Sequence, residues 1–139
     1  MAAIQFPNQL FGPGKFQAVV KDNNGAPSTV LEASKDFTVE TEWRIDELSA
    51  LLLGGKWTVT AYVESIGQGP ERAIAAVQVL LNGGRDYAAV ATVKAGTLPD
   101  NPAPPRSGVY KLVTVLTHDN FGKITNVAAV VEGPILRIG

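Results

Sequence analysis

Along most of this chain apolar and polar side chains alternate one by one, and Gly, Pro and Asn interrupt the alternation at intervals. Successive side chains of an extended strand point to opposite faces, so a two-residue rhythm marks a strand with one face in a core and the other in water. FTVETEWRI (37–45) is the clearest case: Phe37, Val39, Thr41, Trp43 and Ile45 share one face, and Thr38, Glu40, Glu42 and Arg44 the other. KWTVTAYVES (56–65) repeats the pattern with Trp57, Val59, Ala61 and Val63 inward, and KFQAVVK (15–21) with Phe16, Ala18 and Val20. STVLEAS (28–34) predicts a short strand, and IAAVQVLL (74–81), RDYAAVATVKA (85–95), ITNVAAVVE (124–132) and ILRI (135–138) predict further ones. GVYKLVTVLTH (108–118) is nearly continuously apolar, as expected of a strand central in its sheet.

The interruptions carry turn chemistry. DNNGAP (22–27), GQGPE (67–71) and DNFGK (119–123) combine Asn, Gly and Pro in ways that favour positive φ or fix it. Asn82-Gly83-Gly84 separates two strand-like runs and predicts a hairpin between them. DELSALLLGG (46–55) departs from the rhythm: Asp46 suits an N-cap, Leu48, Leu51 and Leu52 take helical spacing, and Gly54 suits the C-terminal cap. One or two helical turns are expected there, crossing between two sheets. GTLPDNPAPPRSG (96–108) carries four prolines and predicts a stiff loop. About seven to nine short strands with almost no helix predict an all-β fold: an antiparallel two-sheet sandwich of immunoglobulin-like size with one short helical crossover near 47–53. A partly closed barrel is the alternative.

Residues 1–14 stand apart. Ile4, Phe6, Leu10 and Phe11 sit among Pro7, Gly12, Pro13 and Gly14, which forbid a helix and disfavour a long strand. Such an apolar arm has to lie against something, either its own domain or a neighbouring subunit. The expected organisation is an N-terminal arm over 1–14 and one sandwich domain over 15–139, with Ile4, Phe6, Leu10 and Phe11 as candidates for subunit contact.

Composition narrows the functions. With 139 residues the chain is long enough for one domain with a real core. Twelve Lys and Arg against 13 Asp and Glu leave a net charge of -1, and the basic residues form no run. Nucleic acid is therefore not an expected partner, since its binding needs clustered positive charge. The lack of cysteine excludes disulfides, thiolate metal sites and a cysteine nucleophile. MAAIQFPNQLFGPGK lacks the features of a secretory signal, and no apolar run suits a membrane span. The expected location is the cytoplasm, or an assembly exported without a signal peptide.

Candidate chemistry is sparse. His118 is the only histidine, and on a strand it points away from its neighbour Asp119; a solvated histidine at a hairpin end is the expectation. Ser65 in VESIGQG lacks the glycine two residues before it that a nucleophile elbow needs, so a Ser65–His118–Asp119 triad has little behind it. LLLGGKW fails the phosphate-loop pattern at Ala50 and Trp57. Glu40 and Glu42 are expected in solvent, where nothing prepares them for acid–base work. Asp22–Asn24 and Asp119–Asn120 offer oxygen ligands for calcium, yet such side chains also serve their own turns. NPAPPR (101–106) has a P-x-x-P spacing. Trp43 and Trp57 on inward faces are core residues first, and a carbohydrate platform would need them exposed and coplanar.

These observations predict a non-catalytic structural or protein-interaction subunit, without cofactor or metal, that associates with itself or with other protein subunits. The competing expectation is a small-ligand or carbohydrate-binding module using rim loops 66–72, 96–108 and 118–123.

Overall fold

The computed structural model describes residues 2–4, 14–100 and 107–139. Its elements in chain order are β1 (Ala2–Ile4), β2 (Gly14–Lys21), β3 (Val30–Leu31), β4 (Phe37–Arg44), α1 (Glu47–Leu52), β5 (Lys56–Ser65), β6 (Arg72–Leu80), β7 (Asp86–Val93), β8 (Val109–Asn120) and β9 (Lys123–Ile138). The strands form two packed sheets, ordered β1-β2-β4-β7 and β3-β9-β8-β5-β6. This is the all-β sandwich that the alternation predicts. Among the described strands all pairings are antiparallel except β3 with β9. β8 lies in the middle of its sheet, paired along its length with β5 and β9.

The inward faces follow the two-residue rhythm. Phe37, Val39, Thr41 and Trp43 of β4 are buried, as are Trp57, Val59, Ala61 and Val63 of β5. They interdigitate into two adjoining clusters. One contains Val20, Phe37, Val39, Val63, Val93, Leu112, Leu136 and Ile138. The other is aromatic: Trp43 stacks on Tyr87 with centroids 5.8 Å apart, and meets Phe16 and Trp57 edge-on at 6.1 Å. Edge-on and offset contacts of this kind add to what burial alone contributes.

Helix α1 links β4 of the first sheet to β5 of the second, the crossover expected near 47–53. Asp46 caps it, its carboxylate accepting from the Ser49 amide at 3.2 Å and from the Ser49 hydroxyl. Two details differ from expectation. Gly54 is not a left-handed cap, because the helix ends at Leu53 in extended backbone; Gly55 takes the positive φ, at 86°. The buried residues of α1 are Ser49 and Ala50, so Leu48, Leu51 and Leu52 face outward. With six residues, the helix is too short for its spacing to form a full apolar stripe, and the approach of its backbone to the sheets sets the inward face instead.

The hairpin predicted at Asn82-Gly83-Gly84 is not formed. β6 pairs with β5 in the second sheet and β7 with β4 in the first, so this turn joins the sheets. Its chemistry is genuine, with Gly83 at φ 80° and the Asn82 side chain accepting from the Gly84 amide. Turn chemistry reverses the chain locally, but does not choose the partner of the strand that follows. β9 also runs through the predicted break at Gly133-Pro134 as one strand, absorbing it in a register shift against β8 between Lys111 and Val113.

Candidate functional site

The pairing of β5 with β8 disposes of the catalytic candidates. It sets Trp57 against His118 and Ser65 against Tyr110, so Ser65 and His118 lie eight residues apart along the strand, roughly 26 Å. No triad can form. His118 is not the solvated hairpin-end residue expected: it is 2% exposed, its Nε2 lies 2.6 Å from the Gly54 carbonyl and its Nδ1 2.9 Å from the Thr125 hydroxyl. A carbonyl only accepts, so Nε2 carries a proton. The ring also packs against Trp57 at 5.1 Å. Its phase with Leu112, Thr114 and Leu116, all buried, is the signal that identifies it as inward. Nε2 ties the β8–β9 hairpin to the α1–β5 junction, and Nδ1 holds the ring to β9 within the hairpin.

The other candidates resolve into local structure. Asp22 accepts from the amides of Asn24 and Ala26, and Asp119 from that of Gly122. The two turns lie at opposite ends of the sandwich, and among the described residues no group of three or more His, Asp or Glu side chains is arranged around a metal position. Glu40 pairs with Lys21 at 2.6 Å, and Glu42 accepts from Gln17 at 3.0 Å, both on the outer face of the first sheet. Trp43 and Trp57 are buried, which removes them as a carbohydrate platform. The rim loops divide likewise: 66–72 and the described part of 96–108 are joined by hydrogen bonds from Arg72 to the Thr97 carbonyl and from Ser107 to the Ile66 carbonyl. Residues 118–123 lie at the other end. NPAPPR falls outside the described residues. A shallow groove of about 520 Å³ is lined by Lys15, Gln17, Glu42, Arg44, Asp86 and Ala88 together with buried Phe16, Trp43 and Tyr87. Arg44 and Asp86 pair within it at 3.1 Å.

Of the residues expected at a subunit contact, Ile4 is buried in the aromatic cluster, and Ala2–Ile4 forms an edge strand on β2. Its side chain is occupied within its own fold. Phe6, Leu10 and Phe11 lie outside the described residues.

The structure instead exposes apolar side chains that the sequence reading missed. Leu48, Leu51 and Leu52 project from α1, and Phe121 and Ile124 from the β8–β9 hairpin. The Phe121 ring lies over Gly54, within 3.5 Å of where a side-chain carbon there would sit, next to the end of the helix. Asn120 pairs with Lys123, so Phe121 and Gly122 form a two-residue loop, and both have positive φ, 51° and 94°. Such loops favour Asn-Gly, because a bulky side chain is disfavoured in the left-handed region. A phenylalanine held there at 85% exposure carries a backbone cost that its contact over Gly54 offsets only in part. The missed signal is the offset in DNFGK: the asparagine falls one position before the loop, and an aromatic takes its place.

Among the described residues no helix is long and apolar enough to cross a membrane. No protein-family model matches the chain, and no curated protein matches it. Among solved structures it is similar to β-glucosidase from Listeria innocua. The complex with isofagomine superposes with a TM-score of 0.52 at 13% identity, and the complex with glucose with 0.50 at 14%; each match covers 91% of this chain and 16% of that one. At such identity the likeness concerns the fold alone, and the chain spans less than a fifth of the enzyme's length.

Proposed function

We propose that this chain is a non-catalytic β-sandwich subunit that associates with copies of itself or with other subunits of an assembly. The observation that carries the reading is the exposure of Leu48, Leu51 and Leu52 on α1 and of Phe121 and Ile124 on the β8–β9 hairpin, with Phe121 held outward against its backbone preference and its ring over Gly54 at the end of that helix. Exposed apolar side chains of this kind favour a partner, and a strained residue among them points to a role outside the fold. Among the described residues the reactive types offer little support for a competing site: His118 is bonded at both nitrogens, and Ser65 is remote from it. The small-ligand alternative has less support, because the ionic groups of the groove satisfy one another and its aromatic residues are buried.

Sedimentation velocity over a wide concentration range tests the reading. The full chain should show a mass that rises with concentration, and Phe121→Asp should weaken that association on the order of tenfold or more. A monomer at every concentration overturns self-association and leaves only association with other subunits.

A further inference from the structure

Among the described residues four strands end the two sheets, and they differ in how they are protected. β1 has three residues and β3 has two, too short to template much pairing. β6 has nine, but its register on β5 shifts between Ala61 and Tyr62, and such irregularities discourage extension. β7 is different. Its eight residues pair with β4 without interruption from Arg44↔Asp86 to Phe37↔Val93. It contains no proline, no lysine and no charge between Tyr87 and Val93, and Ala88, Val90 and Thr92 are exposed. None of the usual devices against edge pairing is present in it.

Resting on the self-association reading, we infer that β7 pairs antiparallel with β7 of a second copy across a two-fold axis at Val90, joining the two four-stranded sheets into one of eight. The sequence around β7 is complementary to itself in that register. Residue positions in opposed pairs then sum to the same value, so Asp86 faces Lys94 of the second copy, Tyr87 faces Val93, Ala88 faces Thr92, and Ala89 faces Ala91. Both charged side chains are solvent-exposed, 73% for Asp86 and 79% for Lys94. The pair across the axis replaces exposed ion pairs within the chain, Asp86 with Arg44 at 3.1 Å and Lys94 with Asp36 at 3.8 Å, which are worth little. The two ends of the strand thus carry opposite charges, which the symmetry brings together twice. At the axis Val90, 51% exposed on its own, meets its equivalent. Opposite charges and β-branched residues placed directly across such a ladder are both favourable.

Crosslinking tests the register. The chain has no native cysteine, so Val90→Cys introduces a single thiol at the axis, where directly opposed strand positions come within disulfide reach. Thr92→Cys introduces one thiol at another exposed position, which faces Ala88 instead. Under mild oxidation Val90→Cys should give covalent dimer at least about tenfold faster than Thr92→Cys. An equal mixture of Ala88→Cys and Thr92→Cys should also crosslink. In sedimentation, Val90→Lys should raise the dissociation constant of this pairing about tenfold by opposing like charges. If the wild-type chain associates while Val90→Cys crosslinks no faster than Thr92→Cys, the edge pairing is wrong and self-association stands. If the wild type stays monomeric throughout, both are wrong.

Discussion

Phe121→Asn should make the isolated fold more stable while weakening its association. The substitution places Asn-Gly in the two-residue loop closed by Asn120 and Lys123, where phenylalanine now adopts φ 51°. A left-handed conformation costs a bulky side chain roughly 1–2 kcal/mol, and asparagine largely escapes that cost. Against this stands the lost contact over Gly54. With the residue 85% exposed, about 30 Å² of ring area is covered, worth roughly 0.7 kcal/mol. The difference favours asparagine by about 0.3–1.3 kcal/mol, or roughly 1–4 °C in melting temperature for a chain of this size. Urea and thermal unfolding followed by far-ultraviolet circular dichroism, at concentrations where sedimentation finds monomer, measure the difference without a contribution from association. A variant less stable than wild type by about 1 kcal/mol would show that the ring supports its own fold, and would remove the reason for assigning it to a partner.

Two further substitutions probe the junction beneath that surface. Gly55→Ala would set a methyl group 2.0 Å from the Asp119 carbonyl oxygen in a residue at φ 86°, so it should cost at least about 3 kcal/mol or prevent folding, as read from urea midpoints or soluble yield. His118→Ala leaves the Gly54 carbonyl and the Thr125 hydroxyl without their ring partners and opens a cavity against Trp57; a loss of roughly 3–5 kcal/mol in urea unfolding is expected.

The layers of this fold are legible in single residues. Thr41 lies inward because it is in phase with Val39 and Trp43, and there its hydroxyl donates to the Ala89 carbonyl. What stays illegible is anything decided between distant segments. Asn82-Gly83-Gly84 encodes a reversal, but whether β7 pairs with β6 or β4 depends on how the sheets close over the aromatic cluster. The outward leucines of α1 follow the same logic: helical spacing is local, whereas the side facing the core is set by where β4 ends and β5 begins. His118 was readable from the phase of β8, since residues 110, 112, 114, 116 and 118 are all buried. The apolar end was not, because it is assembled from residues some 70 positions apart, Leu51 and Phe121, that only the folded chain brings to the same junction.

The aromatic cluster also makes the molecule a spectroscopic reporter of one half of itself. Both indoles lie in that cluster, Trp43 stacked on Tyr87 and Trp57 against His118, and the neighbouring cluster contains no tryptophan. Emission on selective indole excitation therefore follows the packing beside the helix and is silent about the far half. A denaturation trace by fluorescence that separates from the backbone signal would reveal the two halves loosening in turn, without any label being attached.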